Sequence, residues 1–165
     1  MKRFIYLLIV VSVFSCKEFN IDEGTSIKKY EVSVDKSVIS GDFDFLPTST
    51  TKEVYNRNTY VFSYSEEHEQ SEWVAYYLNK DDVKATNFDR PFFEQDPLVE
   101  SVSADWRNYK NSGYDKGHLC PAGDRKGSFD EYNETFFTSN ISPQEHDFNS
   151  GVWNRLEEKV RYWAV

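Results

Sequence analysis

Two runs of aromatic and β-branched residues restrict what this chain can become more than any other feature. Thr59-Tyr60-Val61-Phe62-Ser63-Tyr64 and Glu72-Trp73-Val74-Ala75-Tyr76-Tyr77-Leu78 are separated by the polar stretch Ser65 to Ser71. Such residues suit a pleated, half-buried surface, so the runs predict an antiparallel strand pair. The clearest helical period lies far downstream. Trp153, Leu156, Val160 and Trp163 recur at three- and four-residue spacing, which predicts a helix over Ser150 to Ala164 with those side chains turned to a core and Asn149 at its start. Early strands and a late helix, without internal repeats, give an α+β fold class.

Between these signals, Asn79 to Gly113 is rich in Asp and Asn, includes the turn-like Asp96-Pro97, and reads as a long surface excursion. Excursions of that length often carry function. Phe129 to Phe137 predicts a short helix and Thr138 to Ser142 an extended segment before Pro143, which would stop a helix from continuing. Aromatic residues make up 17% of the chain, enough for a packed core and against general disorder. The 165 residues fit one domain.

The N-terminus reads as an export signal over residues 1–15: Lys2 and Arg3 precede an apolar run, Phe4 to Phe14, too short to span a bilayer comfortably. Val13-Phe14-Ser15-Cys16 resembles a bacterial lipobox, which implies a lipidated Cys16, a membrane anchor and a cell-envelope location. A plain cleaved signal or an uncleaved anchor also places the domain outside the cytoplasm. Residues 16–46 then form a polar tether, in which Tyr30-Glu31-Val32-Ser33-Val34 is a strand or nothing regular, and residues 47–165 form the functional domain. With Cys16 acylated, Cys120 has no cysteine to pair with, so stability rests on packing.

The formal charge is −9, and losing Lys2 and Arg3 takes it two units lower to −11. Broad electrostatic capture of nucleic acid is thereby disfavoured, since such domains are usually basic. A catalyst needs only a local positive site, which Arg90, Arg107, Lys110, Lys116, Arg125 and Lys126 can supply.

Gly113-Tyr114-Asp115-Lys116-Gly117-His118 places an acid, a base and a glycine beside an imidazole. A histidine near its ordinary pKa is mostly neutral at physiological pH and can take a proton from water. Asp115 or a backbone carbonyl could fix its tautomer. Alone, His118 would read as a core or turn histidine, Asn149 as a helix N-cap, and Glu157 as a solvated helix residue. Together with Asn140-Ile141-Ser142-Pro143-Gln144 and the run Asp147 to Glu157 they suggest a site for a hard, oxygen-preferring cation. Cys120 reads as a small buried side chain, and His68 and His146 as exposed or hydrogen-bonding histidines.

In their order and spacing, the Asp115 to Asp124 string, Asn140 to Gln144 and Asn149 to Glu157 resemble the DNA/RNA non-specific endonuclease family, with its ββα-metal finger and Asp-Arg-Gly-His signature. Arg90-Pro91-Phe92-Phe93 and Tyr64 to Leu78 extend the likeness upstream, to about Pro47. The resemblance implies a nuclease acting on DNA and RNA to give 5′ phosphates. It makes His118 the general base, Asn149 the direct ligand of Mg2+ (with Mn2+ able to substitute), and Glu157 the holder of a metal-bound water. Arg90 would steady phosphate charge, Asn140 would place catalytic groups, and Lys116 and Arg125 would meet substrate.

Two departures stand out. Lys116 occupies the signature's arginine position, replacing a planar bidentate donor by a flexible point charge. Family members also continue past the helix with further sheet strands, so the domain is expected to end short of the family's sheet at Val165. Two rival readings stay open at this level: a zinc hydrolase with His118, Cys120 and His146 as ligands, and an inactive nuclease or partner-binding surface lipoprotein.

Overall fold

The computed structural model describes residues 46–165 apart from Asn58 and Ala85, all within one of the chain's two units, Val32–Val165. The expected export signal, the lipidated Cys16 and nearly all of the tether lie outside the described residues. No helix among the described residues is long and apolar enough to cross a membrane.

The first aromatic run forms β2 (Val61–Ser65) and the second contributes to β3 (Gln70–Ala75), and the two pair antiparallel with Val61 opposite Ala75 and Ser65 opposite Gln70. A bulge between Ser63 and Tyr64 shifts the register. The polar connection is tighter than the sequence predicts, with Glu69 at φ 49 closing the turn. A short strand that the sequence did not announce, β1 (Val54–Asn56), adds to the free edge of β2, so β2 is central and buried along its whole length. Tyr60, Phe62 and Tyr64 pack with Val99 and Cys120, and Tyr55, Val74 and Tyr76 lean on them.

The second sheet is a two-stranded antiparallel ladder, β4 (Asp115–His118) with β5 (Ile141–Gln144), pairing Asp115 with Gln144 and His118 with Ile141. Pro143 lies inside β5, a site open to proline because this ladder has only two strands. The expected extended segment therefore begins late: Thr138–Asn140 is a single 3-10 turn, and only Ile141 onward is strand. Between the two strands the chain forms α1 (Phe129–Glu134), capped by the Ser128 hydroxyl accepting from the Glu131 N–H.

The long excursion is irregular but pinned. Buried Asp96 pairs with Arg57 and accepts from the Ser139 hydroxyl and, at 2.8 Å, from the Leu98 N–H. Glu94 is bridged to the segment after α1, its N–H reaching the Phe136 carbonyl at 3.2 Å and its carbonyl accepting from Thr138 at 2.8 Å.

The final helix corrects two expectations. It starts earlier, with a wide turn over Phe148–Trp153 that runs into α2 (Asn154–Ala164). Its expected apolar face also docks only in part: Trp153 and Val160 are half-buried, whereas Leu156 is 43% and Trp163 67% exposed. The less exposed positions are Trp153, Glu157, Val160, Arg161 and Ala164. Polar anchors set this rotation, since the Trp153 indole donates to the His118 carbonyl at 3.2 Å and Arg161 meets the buried Asp124 at 2.7 Å.

Candidate active site

On β4, side chains alternate between faces, so Lys116 and His118 share one and Asp115 and Gly117 the other. A Cβ at Gly117 would lie 2.1 Å from the Gln144 side chain that covers it, so any larger residue there would have to displace that side chain. The Lys116 and His118 side opens on a cleft of about 490 Å³, lined also by Arg90, Phe136, Asn149, Asn154 and Glu157. Four stretches far apart in sequence meet there: the excursion, β4, the end of α1 and the last helix.

His118 is wedged between aromatic rings, its centroid 5.6 Å from that of Phe93 and 5.0 Å from Phe136. Its Nε2 is buried without a hydrogen-bond partner. Burial, and then the nearby Arg90 charge, push its pKa down to about 4, so the imidazole is neutral at physiological pH. Asp115 does not orient it, contrary to one sequence expectation. That carboxylate accepts instead from Asn149 Nδ2 at 3.0 Å and pairs with His146 Nδ1 at 2.9 Å. These partners hold Asp115 below its ordinary pKa.

Asn149 is therefore not an N-cap. Asp147 precedes the helical turn, and Asn149 lies within it, its Nδ2 spent on β4 and its Oδ1 the amide atom left for a ligand. The Asn154 N–H reaches back to the Asn149 carbonyl, an i to i−5 bond that widens the turn. Such a turn aligns residues five apart, which is how Asn149 and Asn154 come to line one cleft. Glu157 follows one turn later, half-buried, its pKa pushed up to about 7 by burial; Arg161 opposes that rise and Asp124 adds to it.

Arg90 sits at the cleft with no carboxylate partner among the described residues, 5.6 Å from the ring centroids of both Phe93 and Phe136. Lys116 Nζ lies 5.3 Å from the Phe93 centroid. Arg107 and Lys110 do not line this cleft, and Arg107 pairs with Asp105 at 2.7 Å.

Of two further expected site residues, Arg125 lies elsewhere and Asn140 sits behind the cleft. Arg125 is only 3% exposed. Its guanidinium is consumed by the carbonyls of Thr59, Tyr77 and Asp124 at 2.7–3.1 Å, and it stacks on Tyr76, so it stitches the domain together and cannot meet substrate. Asn140 is fully buried, its amide donating to the carbonyls of Cys120 and Thr135 at 2.9 Å and accepting from the Cys120 N–H at 2.8 Å. Both of its donors and its oxygen are engaged by backbone, so from the core it fixes the chain two residues past His118.

The zinc reading fails on placement. No group of three or more His, Cys, Asp or Glu side chains among the described residues could hold a metal. Cys120 is in the core, its thiol pushed up to about 12 by burial, and His146 is at the surface with Asp115. Sequence reasoning passed over Arg161, Asp124 and the two ring residues. The i,i+4 spacing of Glu157 and Arg161, which the structure brings to 3.7 Å, was a usable signal for the first. Nothing local marks the others.

The profile of the DNA/RNA non-specific endonuclease family matches residues 43–165. The chain is 40% identical to the mitochondrial nuclease EXOG of Danio rerio over 70% of its own length and 34% of that protein. It is 35% identical to the Homo sapiens EXOG over 81% of its length and 36% of the relative. The mitochondrial nuclease of Saccharomyces cerevisiae is 31% identical over 81% of this chain and 41% of that one. The chain thus spans about a third to two fifths of these relatives. A chain from the crystal structure of the EndoG/EndoGI complex superposes with a TM-score of 0.66 at 31% identity, over 73% of this chain and 50% of that one. With the match spanning the cleft and both sheets, this chain belongs to the DNA/RNA non-specific endonuclease family.

Proposed function

We propose that the protein is a magnesium-dependent, sugar-non-specific endonuclease that hydrolyses phosphodiester bonds in DNA and RNA and leaves 5′ phosphates. One observation carries this reading: a neutral imidazole whose Nε2 has no hydrogen-bond partner and a guanidinium with no carboxylate partner, both among the described residues, converge on one cleft with an amide and a half-buried carboxylate.

His118 takes a proton from the attacking water as its oxygen bonds to phosphorus and the bond to the 3′ oxygen breaks. Arg90 holds the phosphate oxygens where charge accumulates. Its charge also helps to keep His118 unprotonated, so pairing Arg90 with phosphate lifts that effect and strengthens the base when substrate is in place. Lys116 adds a second positive contact. Nothing in this route uses a 2′-hydroxyl, so DNA and RNA both qualify.

The donor set fits a hard cation. Asn149 Oδ1 and the Glu157 carboxylate offer oxygen, and so few protein ligands suit Mg2+, which keeps several waters, with Mn2+ as a substitute. When bound, such an ion supplies Lewis-acid stabilisation of the phosphate and the leaving oxygen. Export to a bacterial cell envelope through an acylated Cys16 completes the proposal, supported by Lys2, Arg3 and the apolar run; mass spectrometry of the mature N-terminus checks it.

The test is digestion of supercoiled DNA and of RNA by the full chain with Mg2+ or with EDTA, followed by end-labelling. Cleavage of both substrates only with Mg2+, leaving 5′ phosphates, is expected. Cleavage that persists in EDTA, or ends bearing 3′ phosphates, would refute the reading.

A further inference from the structure

Phe93 touches three residues of the site at once. Its ring lies 5.6 Å from the Arg90 guanidinium carbon, 5.3 Å from Lys116 Nζ and 5.6 Å from the His118 centroid. It packs in turn on Phe136, centroid to centroid at 5.3 Å, and Phe136 is 2% exposed. The neighbouring Glu94 is bridged to the backbone around Phe137, so the ring's position is fixed from behind.

This matters because the Arg90 segment has no regular secondary structure, and Arg90 has no carboxylate to hold it among the described residues. Arg90 and Lys116 are like charges brought to one ring, an arrangement that repulsion alone would open. An aromatic face attracts both cations through its quadrupole. We propose that Phe93 is a positioning residue, whose π face holds Arg90 and Lys116 beside His118 in the geometry that receives a phosphate. The proposal rests on the reading of Arg90 as a phosphate-binding group.

A double-mutant cycle tests it on the full chain, with the affinity for a short DNA duplex in EDTA as readout beside the cleavage rate. Phe93→Leu keeps apolar bulk against Phe136 but removes the π face; Phe93→Tyr keeps both. Phe93→Leu should weaken duplex binding about three- to tenfold, and Phe93→Tyr should stay within about twofold of wild type. In an Arg90→Ala background the Phe93→Leu loss should shrink to about twofold, the part owed to Lys116. A loss from Phe93→Tyr equal to that from Phe93→Leu overturns the inference, as does a Phe93→Leu loss undiminished in the Arg90→Ala background. If Phe93→Leu unfolds, Phe93→Met carries the same expectations. Wild-type affinity in Arg90→Ala would instead remove the phosphate reading of Arg90, and the inference with it.

Discussion

The two halves of the cleft are built to different standards. On the β4–β5 side, His118 stands over Phe136, and the chain beyond it is locked by Asn140, a fully buried residue with three hydrogen bonds to backbone. On the helical side, neither the wide turn nor α2 contains a fully buried residue, and Asn149 is tied to the rest of the site by one side-chain bond to Asp115. The half proposed for proton transfer is continuous with the core, whereas the half proposed for the cation rests on a helix held chiefly by polar anchors. A general base has to be held still, within hydrogen-bond reach of the water it deprotonates. A cation site can be looser, because the ion itself supplies part of the order when it binds.

That difference predicts unequal responses to substitution. Asn140→Ala should act mainly through folding, leaving buried backbone groups without partners at a cost of about 3 kcal/mol, read as a lowered urea midpoint at unchanged slope. A near-wild-type midpoint would break the contrast. Asn149→Ala should leave unfolding within about 0.5 kcal/mol of wild type. Its effect should fall on cation affinity, weakened about tenfold to a hundredfold by isothermal titration. A large loss of stability in this variant would show the helical half to be as structural as the other.

The smallest effect concerns pH. With the Glu157 carboxyl raised to about 7, it is protonated below that pH, and a cation must displace the proton. Cation affinity should therefore fall about tenfold for each pH unit below 7 and level off above it. Glu157→Gln should bind more weakly and lose that slope, and an unchanged slope in the variant would assign the titration to another group.

The same contrast explains what the sequence disclosed. The aromatic runs of β2 and β3 were legible because aromatic and β-branched side chains concentrate on pleated, half-buried surfaces. Arg90, His118, Asn149 and Glu157 were legible through the family resemblance, and the structure brings all four to one cleft. β4 was not legible: Asp115, Lys116 and Gly117 are poor strand formers, and the ladder depends on Gln144 folding over Gly117, a contact nearly thirty positions away in sequence. The burial of Arg125 escaped notice because three carbonyls from separate loops consume its donors, and no local pattern encodes such convergence. The helix was legible, but only Trp153 and Val160 of its four apolar positions turn inward, since apolar period shows which residues could be buried, while the Asp124–Arg161 pair helps decide which are.

The central claim is that His118 moves the proton in a cleft otherwise already formed. Removing the imidazole and returning it in solution tests this most directly, by following cleavage of supercoiled DNA by His118→Gly in Mg2+ across a range of free imidazole concentrations. The account predicts a rate about 10²–10⁴-fold below wild type without imidazole, and a saturable recovery of part of that loss as imidazole is added. Cleavage by His118→Gly at the wild-type rate, with no response to imidazole, would contradict it.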